Sequence, residues 1–247
     1  MVAYSIQLLH LPKKIIGMVL GSGLVANGFR EYQDDESCLI FASGISNSAN
    51  TDAGAFAREA NLLRKSIQQN PDKLIVYFGT CSVYDPSLRA SPYVNHKLAM
   101  EAILKESHTD FLIFRISNLA GKTNNPHTVL NFFANHILSG DFFSLWKNAS
   151  RNIIDLGDAV TLCDYLIKNK IFRNEVVNVA NPVNYPVLQI IGVMEEMLGK
   201  KGNYELIEKG YNLEIDTSPI QPFLTELKIP FDEEYLMRTL TKYYALA

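Results

Sequence analysis

Ile15-Ile16-Gly17-Met18-Val19-Leu20-Gly21-Ser22-Gly23-Leu24-Val25-Ala26 is an apolar run that breaks on two closely spaced glycines and resumes as a helix-like segment. The continuous apolar stretch suits a parallel strand buried on both faces. Residues 24–32 then read as a short helix. A strand that turns through glycine into a helix gathers backbone N–H groups where a pyrophosphate can sit. Gly21, Gly23, Leu24 and Val25 are therefore candidates for contact with a dinucleotide, and Ala26 is small enough for close helix–strand packing. A plain strand-to-helix turn has the same look, because short glycine motifs recur widely.

Outward from that stretch, strands and helices alternate. Residues 38–42 read as a second buried strand. Thr51 or Asp52 can cap a helix that carries Phe56, Ala60, Leu63 and Ile67 along one side and stops before Asn70-Pro71. Residues 74–78 form a third strand. Ser91-Pro92 starts a helix running to about Lys105, and residues 111–116 form a fourth strand. This alternation predicts an α/β fold, a parallel sheet with helices on both faces. Past Asn118 the pattern loosens: a helix over 128–138, an extended piece at 152–156, a helix at 158–168, a strand at 175–179, and a terminal helix capped by Asp232 that reaches Tyr244. With no internal repeat or long linker, residues 1–247 read as a single compact unit. Its core spans about 15–118, and residues 119–247 are mostly a smaller lobe, with about 151–180 returning to the core.

The 247 residues are 47% apolar and 20% charged, an ordinary globular composition with length for a real core. A net charge of −3 argues against nucleic acid as a main partner. Cys38, Cys81 and Cys163 are widely spaced in apolar runs, which predicts buried reduced thiols and a reducing, cytoplasmic setting. Over residues 1–14 the lysines follow the apolar residues, the reverse of an export signal, and no run has the length of a membrane helix. His10, His96, His108, His127 and His136 are scattered, which predicts surface or loop positions and no metal site.

Tyr93-Val94-Asn95-His96-Lys97 places a phenol and an ammonium four residues apart, on one face of the predicted helix. A neighbouring cation favours phenolate, which moves a tyrosine from about pKa 10 toward acid–base use. Among twelve tyrosines such a pair also arises by chance. Thr80 adds context, because it lies at the carboxyl end of a strand, where open α/β sheets bind ligands. A threonine there also serves to tie down a loop.

Several segments together resemble a known family, the extended short-chain dehydrogenase/reductases, and within it the NAD-dependent epimerase/dehydratase group acting on nucleotide sugars. They are Val76-Tyr77-Phe78-Gly79-Thr80-Cys81-Ser82-Val83-Tyr84, Ser91-Pro92-Tyr93-Val94-Asn95-His96-Lys97, Arg115-Ile116-Ser117-Asn118-Leu119-Ala120-Gly121, Arg151-Asn152-Ile153-Ile154-Asp155-Leu156-Gly157-Asp158 and Val177-Asn178-Val179. The resemblance implies a Rossmann-type core and a C-terminal substrate lobe. It also implies Thr80, Tyr93 and Lys97 as the catalytic trio, with Tyr93 as acid/base and Lys97 lowering its pKa and holding the nicotinamide ribose. Asn118 and Arg151 would meet a nucleotide-sugar substrate, as would Thr80. The function implied is epimerisation or keto-sugar reduction with NAD or NADP, in polysaccharide or surface-sugar synthesis, and a homodimer through helices near 53–69 and 93–105. A non-catalytic dinucleotide- or sugar-nucleotide-binding descendant is the alternative.

Two departures stand out. Phe41-Ala42-Ser43-Gly44 resembles a later cofactor-lining strand, with Ala42 and Ser43 at the cofactor, yet it follows Gly21 by only about twenty residues. The usual intervening strand–helix–strand portion is not found, nor is its strand-end acid for the adenosine ribose. Cys81 and Ser82 stand where family dehydratases carry an Asp-Glu pair, which disfavours dehydration.

Overall fold

A computed structural model describes residues 17–245. In chain order its first half comprises β1 (Val19–Leu20), α1 (Leu24–Gly28), β2 (Cys38–Phe41), α2 (Ala53–Gln69), β3 (Leu74–Thr80), α3 (Pro92–Lys105), β4 (Phe111–Ile116) and β5 (Asn118–Ala120). There follow α4 (Val129–Ser139), β6 (Phe142–Trp146), β7 (Ser150–Asp155), α5 (Leu156–Lys168), β8 (Glu175–Val179), β9 (Asn184–Pro186), α6 (Val187–Leu198), β10 (Asn203–Ile207), α7 (Gln221–Glu226) and α8 (Tyr235–Tyr244).

Five strands make one wholly parallel sheet in the order β1-β2-β3-β4-β8, the Rossmann-like arrangement that the alternation predicts. Its two faces are both apolar. On one, Ile40, Val76, Leu112 and Phe114 meet Leu162, Cys163 and Leu166 of α5. On the other, Leu39, Phe41, Ile75, Tyr77 and Ile113 meet Leu63 of α2 and Met100 and Leu104 of α3. Each fully buried aliphatic side chain stabilises the fold by about 1.5–3 kcal/mol. Leu63 and Leu104 are completely enclosed, so they serve the protein's own sheet and are not available to a second chain.

Among the described residues the sheet ends at β1. Its two residues pair only with β2 among the described residues, which confirms the shortened cofactor half. The strand predicted over 15–20 is correspondingly reduced to Val19–Leu20, with Ile15 and Ile16 outside the described residues. The helix predicted over 24–32 also breaks: α1 stops at Gly28, and a 3₁₀ turn over Arg30–Asp34 follows. Asn27-Gly28 is a poor helical pair, and the tighter turn buries Phe29 and Tyr32 against the sheet. At the other end, Asp232 does not cap α8. Its carboxylate accepts from the Glu234 amide in the turn before the helix.

A second core builds the smaller lobe, with Leu130, Phe133 and Ile137 of α4, Ile190 and Met194 of α6, and Leu236 and Leu240 of α8. Short ladders tie it together: β7 lies between β5 and β9, and β6 pairs with β10. No described helix is long and apolar enough to cross a membrane. All three cysteines are free and buried, as their apolar surroundings predict.

Candidate active site

The turn after β1 depends on glycine. Gly21 has φ +128°, and a Cβ there would stand 2.4 Å from the Ala42 carbonyl oxygen and 3.0 Å from the Ser43 nitrogen. The turn is thus pressed against the end of β2, in a conformation that L side chains rarely adopt. Gly23, just before α1, instead faces open space.

Beside it opens a cleft of about 620 Å³ at the carboxyl ends of the strands, the position at which open α/β sheets bind ligands. Gly23, Leu24, Val25 and Ala42 line one part of it, while Gly21 and Ser43, also singled out by sequence, do not. Thr80, Tyr93, Lys97, Asn118 and Arg151 also line it, so the five side chains singled out by sequence share one cavity.

Thr80 ends β3. Its hydroxyl donates to Ser82 Oγ at 3.0 Å and accepts from the Ser82 amide at 3.1 Å. Tyr93, near the start of α3, is 6% exposed. Burial pushes its pKa up to about 12, against the Thr80 hydroxyl and with a further push from the Glu59 charge. The sequence predicts the opposite direction, a phenol made acidic by Lys97. Burial is the main reason for the difference, and the Lys97 ammonium is directed elsewhere and does not offset it. Lys97 Nζ is 6.0 Å from the centre of the Tyr93 ring, and it donates instead to Glu59 Oε1 and to the Tyr77 hydroxyl, each at 3.2 Å.

Glu59, which sequence reasoning passed over, gathers four partners. Its carboxylate accepts from Lys97, from the Ile45 amide at 2.9 Å and from the Tyr77 hydroxyl at 3.3 Å, and it pairs with His96 Nε2 at 3.0 Å. Burial disfavours this charge, but Lys97, Ile45 and His96 together hold its pKa below the ordinary carboxylate value. Burial also lowers the pKa of Lys97, with Glu59 opposing. His96 is correspondingly no surface residue. It is buried and stacks on Phe56 at 4.5 Å between ring centres. The available signal was periodicity, because Glu59 falls three residues after Phe56 and four before Leu63, on the buried stripe of α2.

On the lobe side, Asn118 Nδ2 donates to the Asn152 carbonyl at 2.8 Å, fastening β5 to β7. Arg151, on β7, donates to the Ser150 carbonyl at 2.8 Å and has no carboxylate ion pair among the described residues. Burial lowers its pKa, partly offset by Asp85. A half-buried guanidinium without a counter-ion, facing a cleft, is suited to an anion. Beneath Thr80, Arg115 makes two bonds to Glu101 (2.8 and 2.7 Å) and one to the Tyr84 hydroxyl at 2.9 Å. Cys81 donates its thiol hydrogen to the Arg115 carbonyl, and burial pushes that thiol up to about 12.

Comparison with known proteins identifies the family and the fold. The sequence profile of the NAD dependent epimerase/dehydratase family matches residues 40–180, more than half the chain, and the protein belongs to that family. No curated protein matches it. Among solved structures, the UDP-glucuronic acid 4-epimerase from Bacillus cereus, in complex with UDP-glucuronic acid and NAD, superimposes with a TM-score of 0.66 at 17% identity, covering 92% of this chain and 78% of the other. The UDP-glucose 4-epimerase from Thermus thermophilus, complexed with NAD, gives 0.63 at 16% identity, with coverage of 82% and 75%. The dTDP-glucose 4,6-dehydratase from Bacillus anthracis in complex with NAD gives 0.61 at 16%, with 78% and 70%. At these identities the likeness shows the fold.

Proposed function

We propose that the protein is an NAD(P)-dependent nucleotide-sugar epimerase or keto-sugar reductase. The observation that carries this reading is the meeting of Thr80, Tyr93, Lys97 and Arg151 on the wall of one cleft, at the carboxyl ends of a parallel sheet. The similar epimerase and dehydratase folds, solved with NAD, support it.

The residues present fit a dinucleotide in its nicotinamide half. The space in front of Gly23 is open, and Tyr93 and Lys97 stand at the cleft wall. Nicotinamide, when bound, supplies the hydride chemistry that the side chains lack. The rest falls to the chain. Thr80 and Tyr93 line the same cleft, so both hydroxyls are offered to one substrate oxygen. At neutral pH Tyr93 is protonated and ready to donate to a forming alkoxide. In the reverse direction Tyr93 takes the proton, a step that needs Lys97 to turn toward the phenolate. Arg151 offers its free donors to the diphosphate, and Asn118 meets the sugar from β5. Val129, Leu130 and Phe132 of α4 line the substrate side.

Dehydration is disfavoured because Cys81 keeps its thiol proton inside the fold and cannot act as the extra base. We place the activity in surface-sugar or polysaccharide synthesis in the cytoplasm, with homodimer contact through the outer faces of α2 and α3. The second reading, a binding protein without catalysis, draws on the Lys97–Glu59 pairing and the short β1 edge.

Calorimetry with NAD, NADP and UDP-sugars, followed by turnover of the Tyr93→Phe variant, tests the proposal. Dinucleotide binding with a loss of turnover of about 100- to 10,000-fold is the expected result. No binding of either dinucleotide, even with a sugar nucleotide present, favours the second reading.

A further inference from the structure

Glu59 does not line the cleft, yet everything it touches does or adjoins what does. Lys97 lines the cleft, Ile45 belongs to the loop along its rim, and His96 sits one residue before Lys97 on α3. A carboxylate 4% exposed would be costly to bury without such partners. It is not there to complete the apolar packing of α2, since a leucine or methionine would serve that end at lower cost.

We propose that Glu59 is a positioning residue of this site, a buried counter-charge that holds the Lys97 ammonium against the rim loop and sets the charge that Tyr93 experiences. The proposal rests on the functional reading above. Lys97 has two carboxylates in its surroundings, Glu59 in contact and Glu101 further off, and the Tyr77 and Tyr93 phenols and His96 face the same cluster. A negative charge at Glu59 makes proton loss harder from both Lys97 and Tyr93. Without it, the proton held by the Tyr93–Lys97 pair leaves at lower pH. Glu59 thereby keeps the acid form in place across neutral pH, and the ammonium becomes available to the phenolate or a ribose only by loosening its hold on this carboxylate.

The test uses the full chain. The ¹³Cε resonance of Lys97, assigned by its loss in Lys97→Met, is titrated in the ligand-free protein and in Glu59→Gln. In parallel, the alkaline limb of kcat/KM is followed for the same two proteins on the substrate found above. The expected result is a downward shift of about 1–2 pH units in both, moving together. A Lys97 midpoint that stays where it was overturns the proposal. So does a midpoint that moves while the kinetic limb does not, because Glu59 then supports the fold and not the chemistry. If wild type turns over no substrate, the functional reading fails, and the positioning role in catalysis falls with it. The Lys97 midpoint still reports separately whether Glu59 sets the ammonium's charge. Should Glu59→Gln not fold, the Glu59 carboxyl resonance in wild type and Lys97→Met reads the coupling from the other side. It rises by about 1–2 units if the proposal holds, and an unmoved value overturns it.

Discussion

Lys97 Nζ and Glu59 Oε1 lie 3.2 Å apart, with 4% and 2% of their side chains exposed. Two opposite charges so enclosed are interdependent. Removing one leaves the other in a medium that solvates it poorly, a loss that exceeds the net worth of the pair.

Lys97→Met is accordingly expected to destabilise the fold by about 3–5 kcal/mol. Adding Glu59→Gln to that background should recover much of the loss, because no uncompensated carboxylate remains. Urea denaturation of the single and double variants gives the comparison, and additive losses would contradict it.

Arg151 behaves differently, being half-buried with a single carbonyl acceptor and no carboxylate ion pair among the described residues. Arg151→Ala should leave the melting temperature unchanged or slightly raised. It should weaken UDP-sugar binding about 10- to 100-fold, the worth of a charge-assisted hydrogen bond. Dinucleotide affinity should not change. Calorimetry with each ligand separates the two effects.

The two glycines of the first turn make a matched pair. Gly21→Ala places a methyl 2.4 Å from the Ala42 oxygen at φ +128° and is expected to cost several kcal/mol, on the order of the strain at a forbidden backbone position plus the clash. Gly23→Ala meets no atom within 4 Å and should fold normally, while narrowing the cleft in front of the dinucleotide. Thermal melts that rank the two equally would contradict this geometry.

Alkali should weaken the fold progressively as it approaches the range where the buried groups titrate. Burial raises Cys38 and Cys81 from 9.0 to about 12, and Tyr93 and Tyr244 from 10.0 to about 12. Each folded-state value lies above its unfolded counterpart, so the folded chain holds more protons between the two. The stabilisation is fully present below pH 9 and declines as pH climbs toward 12. Circular dichroism at fixed urea concentration, read from pH 8 to 11, should show a falling midpoint. A flat or rising one would argue against the enclosure of these groups.

Much of this architecture was legible in residue pattern. β4 and β8 coincide with the apolar runs at 111–116 and 175–179, α3 begins after Ser91 and ends at Lys105, and Asp52 caps α2 by accepting from Gly54. These are local facts, set by side-chain period and capping chemistry within a few residues. The gathering of Thr80, Tyr93, Lys97, Asn118 and Arg151 followed from family resemblance and not from period. What could not be read was charge placed across the fold. Glu59 and Lys97 are 38 residues apart, and the spacing of Tyr93 and Lys97 says nothing of a third group that turns the ammonium away. The direction of the Tyr93 shift was missed because helix spacing reveals neither the burial of the phenol, its main cause, nor the carboxylate that holds the ammonium. His96 was missed because a lone histidine carries no sequence sign of burial.

The edge formed by β1 has one further consequence. An edge strand of two described residues gives a dinucleotide little support beyond the glycines, whereas Thr80, Tyr93 and Lys97 line the cleft around the phenol. Affinity should then be lopsided: nicotinamide mononucleotide ought to retain most of the binding free energy of the whole cofactor, and adenosine monophosphate little. Competition between the two fragments measures how far an enzyme of this kind can dispense with the adenine handle.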